Sequence, residues 1–266
     1  MTDTYILNTN DNARARLDLQ HELYAESSTD LLRRAGLSTG MKGLEIGCGS
    51  GAMTVEIAKL IGSQGDLLSI DLSEDQINYA QKITSDYPSI RFKQCDVNEL
   101  TSLEEQFDFI YCRMVLHHLA DAKYAILQMQ KCLKPGGVVI CEEPSIFDST
   151  FCYPPSLAYE TFVEFVRACF RENKRDFEIA HRLGQEFTDC NFEILHHSLF
   201  QPLLTSSDEK KIYAMALTDI RPQVIELALA DSHKIDDLYN KLIKLANSDA
   251  TMTWIRMHRV IAKKRV

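Results

Sequence analysis

The sequence predicts an α/β protein on a doubly wound, mainly parallel sheet of seven strands. Between about residues 43 and 145, short apolar strand-like runs alternate with segments of helical periodicity. Strands separated by helices need crossover connections, which make neighbours parallel and cover both faces of the sheet. After residue 145 the alternation stops, and two late strand-like runs, near 192–201 and 251–263, stand about 50 residues apart. That distance excludes a tight hairpin and implies helices inserted between neighbouring strands of the same sheet.

Taken in order, Asp11 or Asn12 caps a helix from Ala13 to Tyr24, and Ser28 or Thr29 caps a second from Asp30 to Ala35, closed by Gly36. "GLEIG" is the first strand and leads to a helix near 51–62; "DLLSID" leads to a helix from Ser73 to about Ser85. "IRFKQCD" leads only to a short turn region, "FDFIYCR" to a helix near 121–133, and "GGVVICEE" is the fifth strand. In "SLAYETFVEFVRACF", residues Tyr159, Phe162, Val163, Val166, Cys169 and Phe170 form one helical stripe, the mark of a packing face. Ile235, Leu238, Tyr239, Leu242 and Ala246 repeat the pattern further on. The chain divides into an N-terminal helical cap over 1–40, an alternating strand-and-helix core over 41–145, and a C-terminal half over 146–266 that completes the sheet and carries the inserted helices.

At 266 residues the chain can bury roughly 70–75% of its unfolded surface without staples. Its eight cysteines are scattered, with no C-x-x-C pair, and several lie in apolar strand-like runs, so reduced thiols and a cytoplasmic protein are expected. No basic and apolar leader opens the chain and no long uninterrupted apolar run follows, so neither secretion nor a membrane span is expected. With 38 acidic and 29 basic residues the formal charge is -9, which repels polyanions and argues against nucleic-acid binding. Lys263, Lys264 and Arg265 form the only dense basic run and read as a solvated chain end.

The stretch "GLEIGCGSG" joins the first strand to a helix through alternating glycines. Absent side chains let a ligand approach the backbone, and the helix that follows begins with free N–H groups. Gly47, Gly49 and Ala52 satisfy the dinucleotide pattern, with Asp71 at ribose-binding distance, so the turn alone admits a nicotinamide-dependent oxidoreductase. Glu45, between Leu44 and Ile46 in a buried strand, needs a partner.

Beyond that turn the sequence resembles the class I S-adenosylmethionine-dependent methyltransferases, in their quinone-methylating and related small-molecule branch. The resemblance rests on "EIGCGSG", "SIDLSEDQI", "CDV" and "YCRMVLHHL" followed by "CLKPGGVVI", in that order over residues 40–145. It implies the Rossmann-like methyltransferase fold and S-adenosyl-L-methionine as cofactor. Its implied binding residues are Glu45, Gly47, Cys48, Gly49 and Gly51 at the turn, Asp71 at the ribose with Leu72 beside it, Gln76 facing the adenosine or lying on the surface, Asp96 at the adenine amino group with the Val97 N–H at the ring, and the backbone of Cys112 near the methionine part. A looser resemblance of "YILN" and "ARLDLQ" to the leading stretch of small-molecule methyltransferases adds Tyr5 and Gln20.

His117 and His118, just after the fourth strand, are the candidate catalytic bases, since a neutral imidazole can accept a proton; either could instead cap or pack the next helix. The pairs His117/His118 and His196/His197 lack the spacing of a helical zinc site, so no metal is expected. The acceptor implied is a small, mostly apolar metabolite, methylated by in-line transfer. A lid from segments near 150–175 and 203–250 is expected over it, with Tyr153, Phe162, Phe170, Tyr213 and Trp254 as candidate pocket aromatics. A non-catalytic cofactor-binding or regulatory protein on the same fold is the other alternative.

Overall fold

Strands and helices alternate along the first half of the chain in the computed structural model, which describes residues 11–146, 149–172 and 176–265. The elements begin α1 (Asp11–Arg34), β1 (Lys42–Ile46), α2 (Ala52–Ile61), β2 (Asp66–Asp71), α3 (Glu74–Ile83) and β3 (Ile90–Gln94). A 3-10 turn over Val97–Leu103 follows, then β4 (Phe107–Arg113), a second 3-10 turn over Leu116–His118, α4 (Ala122–Cys132) and β5 (Leu133–Ser145). The rest is β6 (Cys152–Tyr153), α5 (Leu157–Glu172), α6 (Ile179–Asp189), β7 (Phe192–Phe200), β8 (Leu203–Leu204), α7 (Ser207–Lys210), α8 (Ile212–Glu226), α9 (Ser232–Ala246), β9 (Thr251–Thr253) and β10 (Arg256–Lys264).

These elements form two compact units. The larger holds the described parts of residues 24–145, 175–200 and 256–266, and the smaller those of 1–23, 146–174 and 201–255. In the larger unit the sheet runs β3-β2-β1-β4-β5-β10-β7. The first five strands pair in parallel, and β10 is antiparallel to both its neighbours. The doubly wound, mainly parallel seven-stranded sheet is therefore the one expected, with the two late strands side by side. Leu31 and Leu32 of α1 with Met53, Ile57 and Ile61 of α2 cover one face against Leu67, Phe109 and Ile140. Ile126 and Met129 of α4 with Leu183 and Phe187 of α6 cover the other against Leu44, Ile110 and Val260. Burial on both faces explains why these strands read as near-continuous apolar runs.

Two element assignments need correction. The leading helices are one continuous helix, α1. Ser28 and Thr29 are buried at 0% and 7% exposure. Ser28 Oγ accepts from Arg113 Nη1 at 3.4 Å, and Ser27 Oγ donates back to the Tyr24 carbonyl at 3.0 Å. Hydroxyls engaged in this way do not start a new helix. The run near 251–263 is two strands: β10 completes the large sheet, while β9 lies at the centre of a separate three-stranded sheet, β6-β9-β8.

That small antiparallel sheet belongs to the smaller unit, whose interior is aromatic. Tyr213 meets Phe162 edge-on at 5.3 Å and Trp254 at 5.0 Å, and its hydroxyl donates to the Thr253 carbonyl. Phe162, Tyr213 and Trp254 are thus core residues of this unit, at 4%, 1% and 3% exposure, while Tyr153 is 69% exposed. Among the described residues no helix is long and apolar enough to cross a membrane.

Candidate active site

Parallel pairing of β1 with β2 and β4 brings the carboxyl ends of the three strands to one edge of the sheet, where open α/β sheets take their ligands. The glycine turn leaves β1 there. Gly47, Gly49 and Gly51 all have left-handed φ, at 71°, 52° and 83°, a conformation that costs any other L-residue about 1–2 kcal/mol. The N–H groups of Gly47 and Cys48 both donate to the Ile70 carbonyl, at 2.8 and 3.0 Å, pinning the turn to β2. Gly51 begins α2 without a side-chain cap.

Asp71 bridges the turn to α3. Its Oδ2 accepts from the Gly49 N–H and its Oδ1 from the Ser73 N–H, both at 2.9 Å. Burial raises its pKa, against the lowering effect of these backbone donors. Leu72 beside it is 49% exposed, an apolar side chain with an open flank. Ser73 caps α3 by accepting from the Gln76 N–H at 3.4 Å. Gln76 is 4% exposed, which removes the surface alternative for that residue.

Glu45, at 2% exposure, has its partner in the protein. Its Oε2 accepts from Thr54 Oγ1 at 2.5 Å and from Ser69 Oγ at 2.7 Å. Burial pushes its pKa up from 4.5 to about 7, against those two hydrogen bonds and the Arg113 charge, with Asp71 adding to the rise. The folded state therefore holds this proton more tightly than the unfolded chain, and stability falls as pH rises from about 4.5 to about 7, by about 3 kcal/mol. Above that window Glu45→Gln should be more stable than the wild type, and below it the two should converge. Urea unfolding of both at pH 4 and pH 8 checks this, the difference between them isolating Glu45 from other titrating groups.

Asp96 caps the turn after β3, its Oδ1 accepting from the Asn98 N–H at 2.8 Å and the Asn98 amide at 3.0 Å. Val97 is buried beside it. Cys48 and Cys112 are buried thiols, at 6% and 0% exposure. Burial pushes the Cys48 thiol up; for Cys112, contact with Cys141 lowers and burial raises, with a net rise. Tyr5 lies outside the described residues. Gln20 belongs to the smaller unit, where its Oε1 accepts from Arg16 Nη1 at 3.1 Å.

His117 is 4% exposed, and its Nδ1 lies 2.7 Å from Glu143 Oε2. His118 lies against it, with ring centroids 3.9 Å apart and the ring planes tilted by 41°. Glu143 is a site residue that sequence reasoning missed, although the signal was present: "CEE" places acids in an otherwise apolar buried strand, the argument already applied to Glu45. Cys112, Cys141 and Glu143 bring ligand atoms within 4.8 Å of one another, the only such group among the described residues. The Glu143 oxygens there already accept three backbone N–H bonds and meet the His117 ring.

This strand order, with its antiparallel β10 and a glycine turn tied to the acid ending β2, defines the class I methyltransferase architecture. The chain belongs to the methyltransferase domain family, whose signature matches residues 37–215. It is similar to the demethylmenaquinone methyltransferase of Staphylococcus aureus strain MRSA252, at 30% identity over 126 residues, or 47% of this chain and 51% of that protein. The chain thus spans about half the length of the curated relatives it matches. Among solved structures, the YcgJ protein of Bacillus subtilis superposes with a TM-score of 0.58 at 16% identity, over 91% of this chain and 99% of its own. The Haemonchus contortus phosphoethanolamine N-methyltransferase 2 does so with a TM-score of 0.55 at 17% identity, over 100% of this chain and 58% of its own. At these identities the structural likeness is one of fold.

Proposed function

We propose that the protein is an S-adenosylmethionine-dependent methyltransferase that acts on a small, mostly apolar metabolite by in-line methyl transfer. The carrying observation is the cradle at the glycine turn. A Cβ on Gly49 would meet nothing within 4 Å, α2 starts uncapped, and buried Asp71 stands next to exposed Leu72. These features suit a nucleoside with an apolar base face and a ribose diol.

Asp71 would take the ribose hydroxyls, Leu72 and Val97 the faces of the adenine, and Asp96 its amino group. The turn backbone and the Cys112 carbonyl would hold the methionine part. When bound, the cofactor supplies an electrophilic methyl group on a sulfonium, and the chain's task is to hold the acceptor's nucleophile in line with it. The Haemonchus protein of this fold is in complex with S-adenosylhomocysteine and phosphomonomethylethanolamine, and the Staphylococcus relative is named for a quinone. Both names point to small acceptors, and the formal charge of -9 disfavours a nucleic acid.

Isothermal calorimetry on the full chain tests the reading. Saturable binding of S-adenosylmethionine or S-adenosylhomocysteine, without comparable binding of NAD or NADP, is the expected result. Binding of a nicotinamide cofactor with none of S-adenosylhomocysteine would overturn it.

A further inference from the structure

We infer that Glu143 is a positioning residue, which fixes His117 as a proton acceptor through Nε2; the inference rests on the methyltransferase reading above. Glu143 is fully buried at 0% exposure. Its Oε1 accepts from the N–H groups of Val115 and Leu116, at 2.9 and 2.8 Å. Its Oε2 accepts from the His117 N–H at 3.2 Å and meets His117 Nδ1 at 2.7 Å. One carboxylate from β5 therefore folds the turn after β4 and sets the imidazole that the turn carries.

A carboxyl group that already accepts three backbone N–H bonds takes a fourth from the ring, so Nδ1 bears the proton and Nε2 carries the lone pair. Among the described residues no other group bonds to that ring. His258 stands opposite Glu143 in the β5/β10 register, with the rings of His181 and His197 at 5.4 and 6.1 Å from its own. Both Glu143 oxygens are engaged by the turn that carries His117. His118, at 3.9 Å, and Phe177, at 5.9 Å, confine the ring on its flanks.

This arrangement fixes a class of acceptor. It is one whose nucleophilic atom carries a proton that must leave, such as a phenolic or enolic hydroxyl. That proton passes to Nε2, the resulting imidazolium is balanced by Glu143, and solvent later takes the proton from the ring. An acceptor that loses no proton, such as a tertiary amine or a thioether, has no use for the pair.

Nitrogen-15 NMR of the histidine-labelled full chain, without ligand, reads the arrangement independently of turnover, with the His117 signals assigned by their loss in His117→Asn. The wild type should show His117 as the Nδ1–H tautomer. Glu143→Gln, which keeps an acceptor oxygen, should retain that tautomer, and Glu143→Ala should lose it. A wild-type Nε2–H tautomer, or no change in Glu143→Ala, overturns the inference. As a second readout, with labelled methyl donor and an acceptor-bearing fraction of cell extract, Glu143→Gln should lose on the order of a hundredfold in turnover while binding S-adenosylhomocysteine as the wild type does. Full turnover in that variant overturns the inference, as does a labelled product that is a quaternary ammonium or a sulfonium. Absence of transfer by the wild type would count against the methyltransferase reading instead, and the tautomer result would still decide the role of Glu143.

Discussion

Asp71→Ala should weaken S-adenosylhomocysteine binding by about two to three orders of magnitude. Two effects combine. A carboxylate hydrogen bond to a ligand hydroxyl contributes roughly 1.5–3 kcal/mol, and a ribose diol offers two. The same carboxylate holds the Gly49 and Ser73 N–H groups, so its removal also frees the turn that must be in place before the ligand arrives. Asp71→Asn keeps one acceptor oxygen and should fall between. Calorimetry on the three proteins checks the order, and an Asp71→Ala variant with wild-type affinity would remove Asp71 from the site.

The second large effect separates two glycines of the same turn. At Gly51 a Cβ would stand 2.8 Å from Ala80 Cβ and 3.0 Å from Ala80 Cα. No rotamer change relieves a clash against a backbone atom, so Gly51→Ala combines overpacking with a left-handed alanine and should cost about 2–4 kcal/mol of stability. At Gly49 a Cβ would meet nothing within 4 Å. Gly49→Ala should therefore lose only about 1 kcal/mol of stability, while its methyl group occupies the ligand's space and weakens cofactor binding tenfold to a hundredfold, or about 1–3 kcal/mol. Urea unfolding and calorimetry on both variants measure the contrast. Equal stability losses with unchanged binding would show that the open side of the turn is not where the ligand lies.

The large sheet was legible because its strands are buried on both faces, so that apolar runs bounded by turn residues stood out along the chain. Gly47, Gly49, Gly51 and Asp71 were legible because positive φ and a carboxylate at a strand's carboxyl end leave local marks. Other features depend on contacts far apart in sequence. Ser28 looks like a helix cap until Arg113, 85 residues away, is found donating to it. β9 has three residues and its partners two each, too short for any period to register. Phe162, Tyr213 and Trp254 could be read as a pocket or a core, and only their mutual edge-on packing decides for the core of the smaller unit. Glu143 escaped because its four hydrogen bonds come from three residues, Val115, Leu116 and His117, which lie 26 to 28 positions back along the chain.

The account stands or falls on transfer of a methyl group to a small molecule. The direct measurement incubates the full chain with methyl-labelled S-adenosylmethionine and fractionated cell extract, and identifies any labelled product by mass. Label in a small, organic-extractable compound, absent with Asp71→Ala, is the predicted result. Label confined to nucleic acid or protein would contradict it, as would a chain that binds the cofactor and labels nothing in any fraction.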